Sequence, residues 1–267
     1  PPIVQVPEPM SLKALLGIVP TGVVTSFLVG VAHGSFLGLA AVYATRGGLS
    51  TVETGVFVAL PTVGSLLLQV PISAASDELD RRWVGALAAM VAALAAMVLV
   101  TSDVGSTPSM LAMVLIGGTT YPLYSIAGAY TNDWIPAAQM TAVASQLVVV
   151  LGAGAFLGPL LTSVVMGTVG NVGFAWMIVG VHVVIASFLI VRMIQHRAPL
   201  RAKPWNDVAL AARVFLLPAT ALGLGRRIRT SRNRSIPPFG TDEPLSPSTA
   251  SIVDIDIDID AAPMSDH

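Results

Sequence analysis

Residues 73–82 read Ser73-Ala74-Ala75-Ser76-Asp77-Glu78-Leu79-Asp80-Arg81-Arg82. Five of the six side chains from Asp77 to Arg82 are ionisable, and charge then vanishes in both directions, back to Glu53 and on to Asp103. Each flanking stretch is apolar and reaches the roughly 20 residues that an α-helix needs to cross a hydrocarbon layer about 30 Å thick. The island of charge is therefore a loop between two bilayer-spanning helices. The pattern recurs from Lys13 to Arg46, from Asp103 to Asp133 and from Asp133 to Arg192, and the last stretch is long enough for two crossings, which makes six spans in all.

Composition points the same way. A soluble domain keeps roughly a quarter of its residues charged, whereas this chain has 11% charged and 54% hydrophobic residues. Most of it cannot face water, and six spans with short loops form one compact unit despite the usual prior of about 150 residues per domain. The chain has no cysteine, which removes disulfides, thiolate metal sites and cysteine nucleophiles. A net charge of −1 offers no footing for nucleic acid. Nothing points to a cofactor or a metal. The chain opens at Pro1 with neither an initiator methionine nor a signal-peptide pattern, which reads as a cut or break inside a longer protein, with terminal processing as the alternative.

The spans are expected at Leu15 to Ala44, Val52 to Ala75, Trp83 to Val100, Ser109 to Tyr130, Gln139 to Met166 and Phe174 to Met193. The last two are separated by a glycine and asparagine cluster, Gly167 to Gly173, that reads as a turn. Lysine and arginine accumulate on cytoplasmic flanks. With six spans Lys13, Arg81, Arg82, Arg192, Arg197, Arg201 and Lys203 fall on one side and Arg46 alone on the other, so both ends of the bundle are expected in the cytoplasm.

Four regions follow: a linker over 1–11, the bundle over 12–193, a basic cytoplasmic segment over 194–234 and an acidic tail over 235–267. Within the third, Val208 to Leu224 carries Arg213 and Pro218 and reads as a membrane-surface helix capped by Asn206 or Asp207. A disordered basic segment is the other reading. The tail ends in alternating isoleucine and aspartate from Ile252 to Asp260. A lone charged strand buries too little to fold, so disorder is expected there.

Polar groups in hydrocarbon are costly and mark candidate function. His33 lies near the middle of the first span among Gly30, Gly34 and Gly38; the fourth holds Gly117-Gly118-Thr119-Thr120-Tyr121-Pro122 and then Tyr124 and Ser125. Glycine and proline at mid-depth predict an interrupted helix. Interruptions in corresponding helices of inverted repeats point to a binding site, which makes His33, Thr119, Thr120, Tyr121 and Tyr124 candidates for the path of a solute. A histidine bonded to a backbone carbonyl is the plainer alternative for His33. Gly154, Gly158 and Pro159 in the fifth span read as a close helix–helix contact. His182 in the sixth span has nothing polar near it in the sequence, and Gln69 and Gln146 read as interhelical hydrogen bonds.

The loop quoted above resembles the major facilitator superfamily signature Gly-x-x-x-Asp-[Arg/Lys]-x-Gly-Arg-[Arg/Lys]. Asp77, Arg81 and Arg82 match its charged positions, whereas Ser73, Glu78 and Asp80 depart from it. The segment from Thr119 through Pro159 also resembles prokaryotic members. The resemblance covers about residues 12 to 193. It implies an all-α membrane fold of six helices arranged as two inverted three-helix repeats, the C-terminal half of a twelve-helix transporter. It also implies that Asp77, Arg81 and Arg82 form a cytoplasmic gate that steadies the state closed on that side. A physical basis exists for Asp77, since free amides at the start of the fifth span favour a carboxylate by about 0.3–1 kcal/mol. Arg81 and Arg82 either pair with acids of the other half or serve as orientation signals.

The expected function is carriage of a small solute across the cell membrane by alternating access, opposite an N-terminal six-helix half, with no enzymatic step. A non-transporting scaffold is the alternative, marked by an uninterrupted bundle with no polar residues at a cavity. An intramembrane hydrolase is disfavoured: no Gly-x-Ser-x-Gly occurs and no acid pair lies at mid-depth.

Overall fold

The computed structural model describes residues 10–195, and every element there is helical. The expectations for residues 1–9, the basic segment and the acidic tail lie outside the described residues. Six long helices follow one short one: α1 (Leu12–Ile18), α2 (Pro20–Arg46), α3 (Thr51–Glu78), α4 (Arg81–Thr101), α5 (Thr107–Asn132), α6 (Met140–Val169) and α7 (Gly173–Gln195). The shortest of the six, α4, has 21 residues, about 31 Å at 1.5 Å per residue, so each is long enough to cross a bilayer.

The first span differs from its expected form. The apolar run from Leu15 is two helices, because Pro20 has no amide to continue α1 and disfavours helical geometry at Val19, where φ is −131° and ψ 64°. Elsewhere local chemistry sets the ends. Ser50 and Glu53 form a reciprocal cap at the start of α3, with the Ser50 amide donating to Glu53 Oε2 at 2.8 Å. Asp80 caps α4 by accepting from the Arg82 amide at 2.9 Å. The turn between α6 and α7 is entered through Gly170, whose φ of +81° suits glycine alone.

The long helices pack principally as α2 with α6, α3 with α5 and α4 with α7, then as α4 with α5, α2 with α5 and α2 with α7. Exchanging α2–α4 for α5–α7 returns the same set: α2/α6 becomes α5/α3, α4/α5 becomes α7/α2, and the remaining two pairs map onto themselves. The bundle is thus a repeat of two three-helix units. With three spans per unit the second starts from the opposite end, so the repeat is inverted.

Lipid tails are as apolar as leucine, so these contacts rest on close packing rather than on escape from water. Small residues provide it. A Cβ added to Gly30 or Gly34 of α2 would fall on the carbonyls of Leu151 or Ala155 of α6, and one added to Gly154 or Gly158 of α6 would fall on those of Phe27 or Val31. In the symmetry-related pair Gly117 of α5 meets Pro61 of α3, as Gly38 of α2 meets Pro159 of α6. Buried Ala86, Ala89, Ala93 and Ala96 give α4 a flat face toward its neighbours, whereas Leu87, Met90, Leu94 and Met97 are exposed on its other side.

The end of the bundle remote from Arg81 is closed by aromatic rings. Tyr43 stacks on Phe174 at 4.7 Å and donates from its hydroxyl to the Leu99 carbonyl at 3.3 Å. The Asn171 amide nitrogen donates to the Tyr43 carbonyl at 2.9 Å and ties the α6–α7 turn to α2.

Candidate functional site

Two polar clusters interrupt the apolar interior. The first lies in the middle of the bundle, on the corresponding helices α2 and α5. The His33 ring lies 4.8 Å from the Tyr121 ring, with planes tilted by 34°. The Thr120 backbone lies beside it, and its Nε2 is buried with no hydrogen-bond partner among the described residues. Tyr121 is in turn within reach of the Thr62 hydroxyl on α3. Tyr124, partly buried one turn further along α5, bridges the central core and the core beside α1. Thr119 turns away: its hydroxyl donates back to the Leu115 carbonyl of its own helix at 2.8 Å. Of the five residues expected along a solute path, His33, Thr120 and Tyr121 come together, Tyr124 adjoins them, and Thr119 satisfies itself.

His182 belongs to this cluster, contrary to the expectation that nothing polar gathers near it. Its Nε2 lies 2.8 Å from Thr120 Oγ1 and its Nδ1 2.8 Å from the Ile178 carbonyl. A carbonyl only accepts, so Nδ1 carries the hydrogen; Nε2 of the neutral ring then accepts, and the Thr120 hydroxyl donates to it. Both ring nitrogens are used and the tautomer is fixed. Thr120 and His182 are far apart in sequence, and only the packing of α5 and α7 against α4 and α2 brings them together.

The expected mid-depth interruptions do not occur. Helix α2 runs unbroken through Gly30, Gly34 and Gly38, and α5 through Gly117, Gly118 and Pro122. The glycines fit the neighbouring backbones of α6 and α3 instead, and Pro122 costs α5 one amide donor without ending it. Gln69 differs too: it accepts from Ser65 of its own helix at 3.3 Å rather than bridging two helices. Gly154 and Gly158 lie against α2 backbone, and Pro159 against Gly38.

The second cluster binds the helix ends around the loop first quoted. Arg81 donates from Nε to Asp133 at 2.9 Å and from Nη1 to Asp77 at 2.8 Å and Ser76 at 3.2 Å. It thereby clasps α3, α4 and α5. Arg82 pairs with Asp80 at 2.8 Å, donates to the Arg192 carbonyl at 3.2 Å and lies over the Tyr130 ring at 6.0 Å. Arg192 closes the circuit by donating to Thr21 at 2.8 Å, which joins α7 to α2. Asp77 is 59% exposed, so its ion pair is screened and contributes little, whereas Arg81 and Asp133 are 14% and 17% exposed and interact more strongly. Arg81 therefore has acidic partners within this chain, an arrangement absent from the two expected readings. Asp133 was the missed residue; in a six-span topology the ends of the second and fourth spans share a side. Among the described residues no group of three or more histidine or acidic side chains could hold a metal ion.

The chain is similar to transporters of known family. The model of the Major Facilitator Superfamily matches residues 17–239. The MFS-type transporter YE1530 of Yersinia enterocolitica is 25% identical over 181 residues, covering 68% of this chain and 46% of that protein. YcaD of Escherichia coli is 25% identical over 183 residues, again 68% of this chain and 46% of its own length. YcaD of Salmonella arizonae is 26% identical over 145 residues, 54% of this chain and 37% of its own length. The chain thus spans about half the length of the curated relatives it matches. Six helices long enough to cross a bilayer, an inverted repeat, a charged clasp at the loop between the second and third of them and a family match over most of its length identify the chain as a multi-pass membrane protein of the major facilitator superfamily.

Proposed function

We propose that this bundle forms one wall of a solute path and carries small solutes by alternating access against a second six-helix bundle, without catalysing a reaction. One observation carries the reading: the polar groups of the bundle's middle, Thr120 buried and His33 and Tyr121 partly buried, sit on α2 and α5, helices that the inverted repeat places in correspondence. Leu37 of α2 and Ser125 of α5 are exposed beside that cluster, which supports an open stripe along it. The apolar faces of α3 and α6, with Leu66, Leu67, Phe156 and Leu160 exposed, suit contact with the other bundle.

In this proposal the Arg81 clasp lies on the cytoplasmic side and steadies the state closed there. The placement is supported by Arg81, Arg82 and Arg192 meeting at one end of the bundle. The test uses the full-length protein in sealed vesicles, with single cysteines in place of Leu37 or Ser125. Each should react with a membrane-impermeant maleimide from either face. Labelling by lipid-soluble reagents alone would refute the reading and favour a scaffold.

A further inference from the structure

A serine or threonine inside a helix can match its hydroxyl by donating to the carbonyl one turn back. Ser35, Thr119, Thr131 and Thr162 do so, each bonding the carbonyl four residues before it at 2.8 Å. Thr25 of α2 does not. It is 3% exposed, and its Oγ1 has no partner among the described residues. Ser26 and Thr54 share that condition, but of the three it is Thr25 that lines the cavity between α2, α4, α5 and α7. Buried polar groups are seldom left unmatched, and those that are call for a reason.

The cavity supplies one. It lies directly behind the clasp, with Arg82 and Tyr130 in its polar lining and Leu123 and Leu189 in its apolar lining. The space open to the centre of a water-sized sphere is about 10 Å³, which is room for one water and not for a phosphate, a carboxylate or a lipid headgroup. The guanidiniums of the wall are already paired, Arg81 with Asp77 and Asp133 and Arg82 with Asp80, so their charge calls for no further anion. A water also suits a threonine hydroxyl, since each can donate or accept and the match does not depend on where the hydrogen points.

We propose that this cavity is an internal hydration site, in which one water molecule is hydrogen-bonded to Thr25 Oγ1 and to the polar groups of the lining where Arg82 and Tyr130 stand. Thr21, one turn before Thr25, already accepts from Arg192 at 2.8 Å. The water therefore carries the clasp one turn deeper along α2, from the helix ends into the bundle, and ties α2 to the elements that Arg82 binds. The site belongs to the clasp end of the bundle and does not depend on the solute path proposed above.

The test is X-ray radiolytic footprinting of the full-length protein in lipid nanodiscs, in which hydroxyl radicals formed from a bound water oxidise the side chains beside it. Leu123 and Leu189 line the cavity although they are 0% and 4% exposed, and Leu99, 1% exposed in the core at the aromatic end, is the like-for-like control. Leu123 and Leu189 should oxidise severalfold faster than Leu99. Thr25→Val, which keeps the shape and removes the hydroxyl, should bring both down to the Leu99 rate, and Thr25→Ser should hold them near the wild-type rate. Wild-type rates equal to that of Leu99 overturn the inference, and this comparison requires no variant to fold. Unchanged oxidation in Thr25→Val, or a loss in Thr25→Ser equal to that in Thr25→Val, overturns the assignment of the water to the Thr25 hydroxyl.

Discussion

Replacing Gly158 with alanine tests the packing that holds the two repeats together. The new methyl group would fall on the Val31 carbonyl and lie 2.7 Å from the Ser35 amide nitrogen, both backbone atoms of α2 that cannot swing aside. Restoring ordinary contact requires α2 and α6 to part by roughly 1 Å, which forfeits a quarter to a half of the dispersion attraction across the seam. Overpacking of this kind typically costs about 1–3 kcal/mol. Alanine offsets up to about 1 kcal/mol of that through its higher helix propensity. With the full offset the net loss is about 0–2 kcal/mol, and the difference from a variant that keeps only the propensity gain is the whole of about 1–3 kcal/mol, roughly 2–12 °C in apparent melting temperature. Gly180 of α7 is the control: it is exposed, and a Cβ there meets nothing within 4 Å. Gly180→Ala should keep only the propensity gain and be neutral or slightly stabilising. The assay is the fraction of monodisperse protein after heating in detergent, followed by size exclusion with tryptophan fluorescence. Equal melting temperatures for the two variants would refute the close-contact account of the α2/α6 seam.

Thr120→Val should strip His182 Nε2 of its donor and destabilise the bundle by about 1–3 kcal/mol, whereas Thr120→Ser should retain most of the stability in the same heating assay; equal losses would show that the hydroxyl is not the reason. Arg81→Met leaves Asp133 partly buried without its partner, and we expect a loss of about 1–3 kcal/mol that Arg81→Met with Asp133→Leu largely recovers; a double variant as unstable as the single one would deny the pairing. In this cysteine-free chain, single cysteines at Val52, Thr107 and Thr168 should label from outside intact cells and one at Leu79 should not. These positions are preferable to Gly47 and Gly105, where a side chain would strike Val104 or Leu49. External labelling at Leu79 would invert the orientation.

The six long helices were legible because ionised groups are excluded from hydrocarbon, and the gaps between Lys13, Arg46, Glu53, Asp77 and their successors mark the spans directly. The break at Val19 was not, since Leu15 to Ala44 carries no charge that would divide it at Pro20. At Gly117, Gly118 and Pro122 local propensity favours an interruption, but α3 presses its own backbone against the two glycines and the helix continues. The neighbourhood of His33 and Tyr121 was readable from depth alone. The bond from Thr120 to His182 and the clasp from Arg81 to Asp133 were not, because each joins residues from different spans, and no local pattern records which spans pack together.

The pairing of the helices has a consequence for how the protein is made. Each of the three principal pairings joins a helix of the first repeat to one of the second, so α2, α3 and α4 leave the ribosome with their main partners still unsynthesised. Gly30 waits for Leu151, which at about 5–20 residues per second is a delay on the order of ten seconds. Throughout that interval the bare glycine faces of α2 lie open to lipid or to any insertion chaperone that shields them. A chain stalled after α4 would therefore hold α2, α3 and α4 without the partners that make their principal contacts.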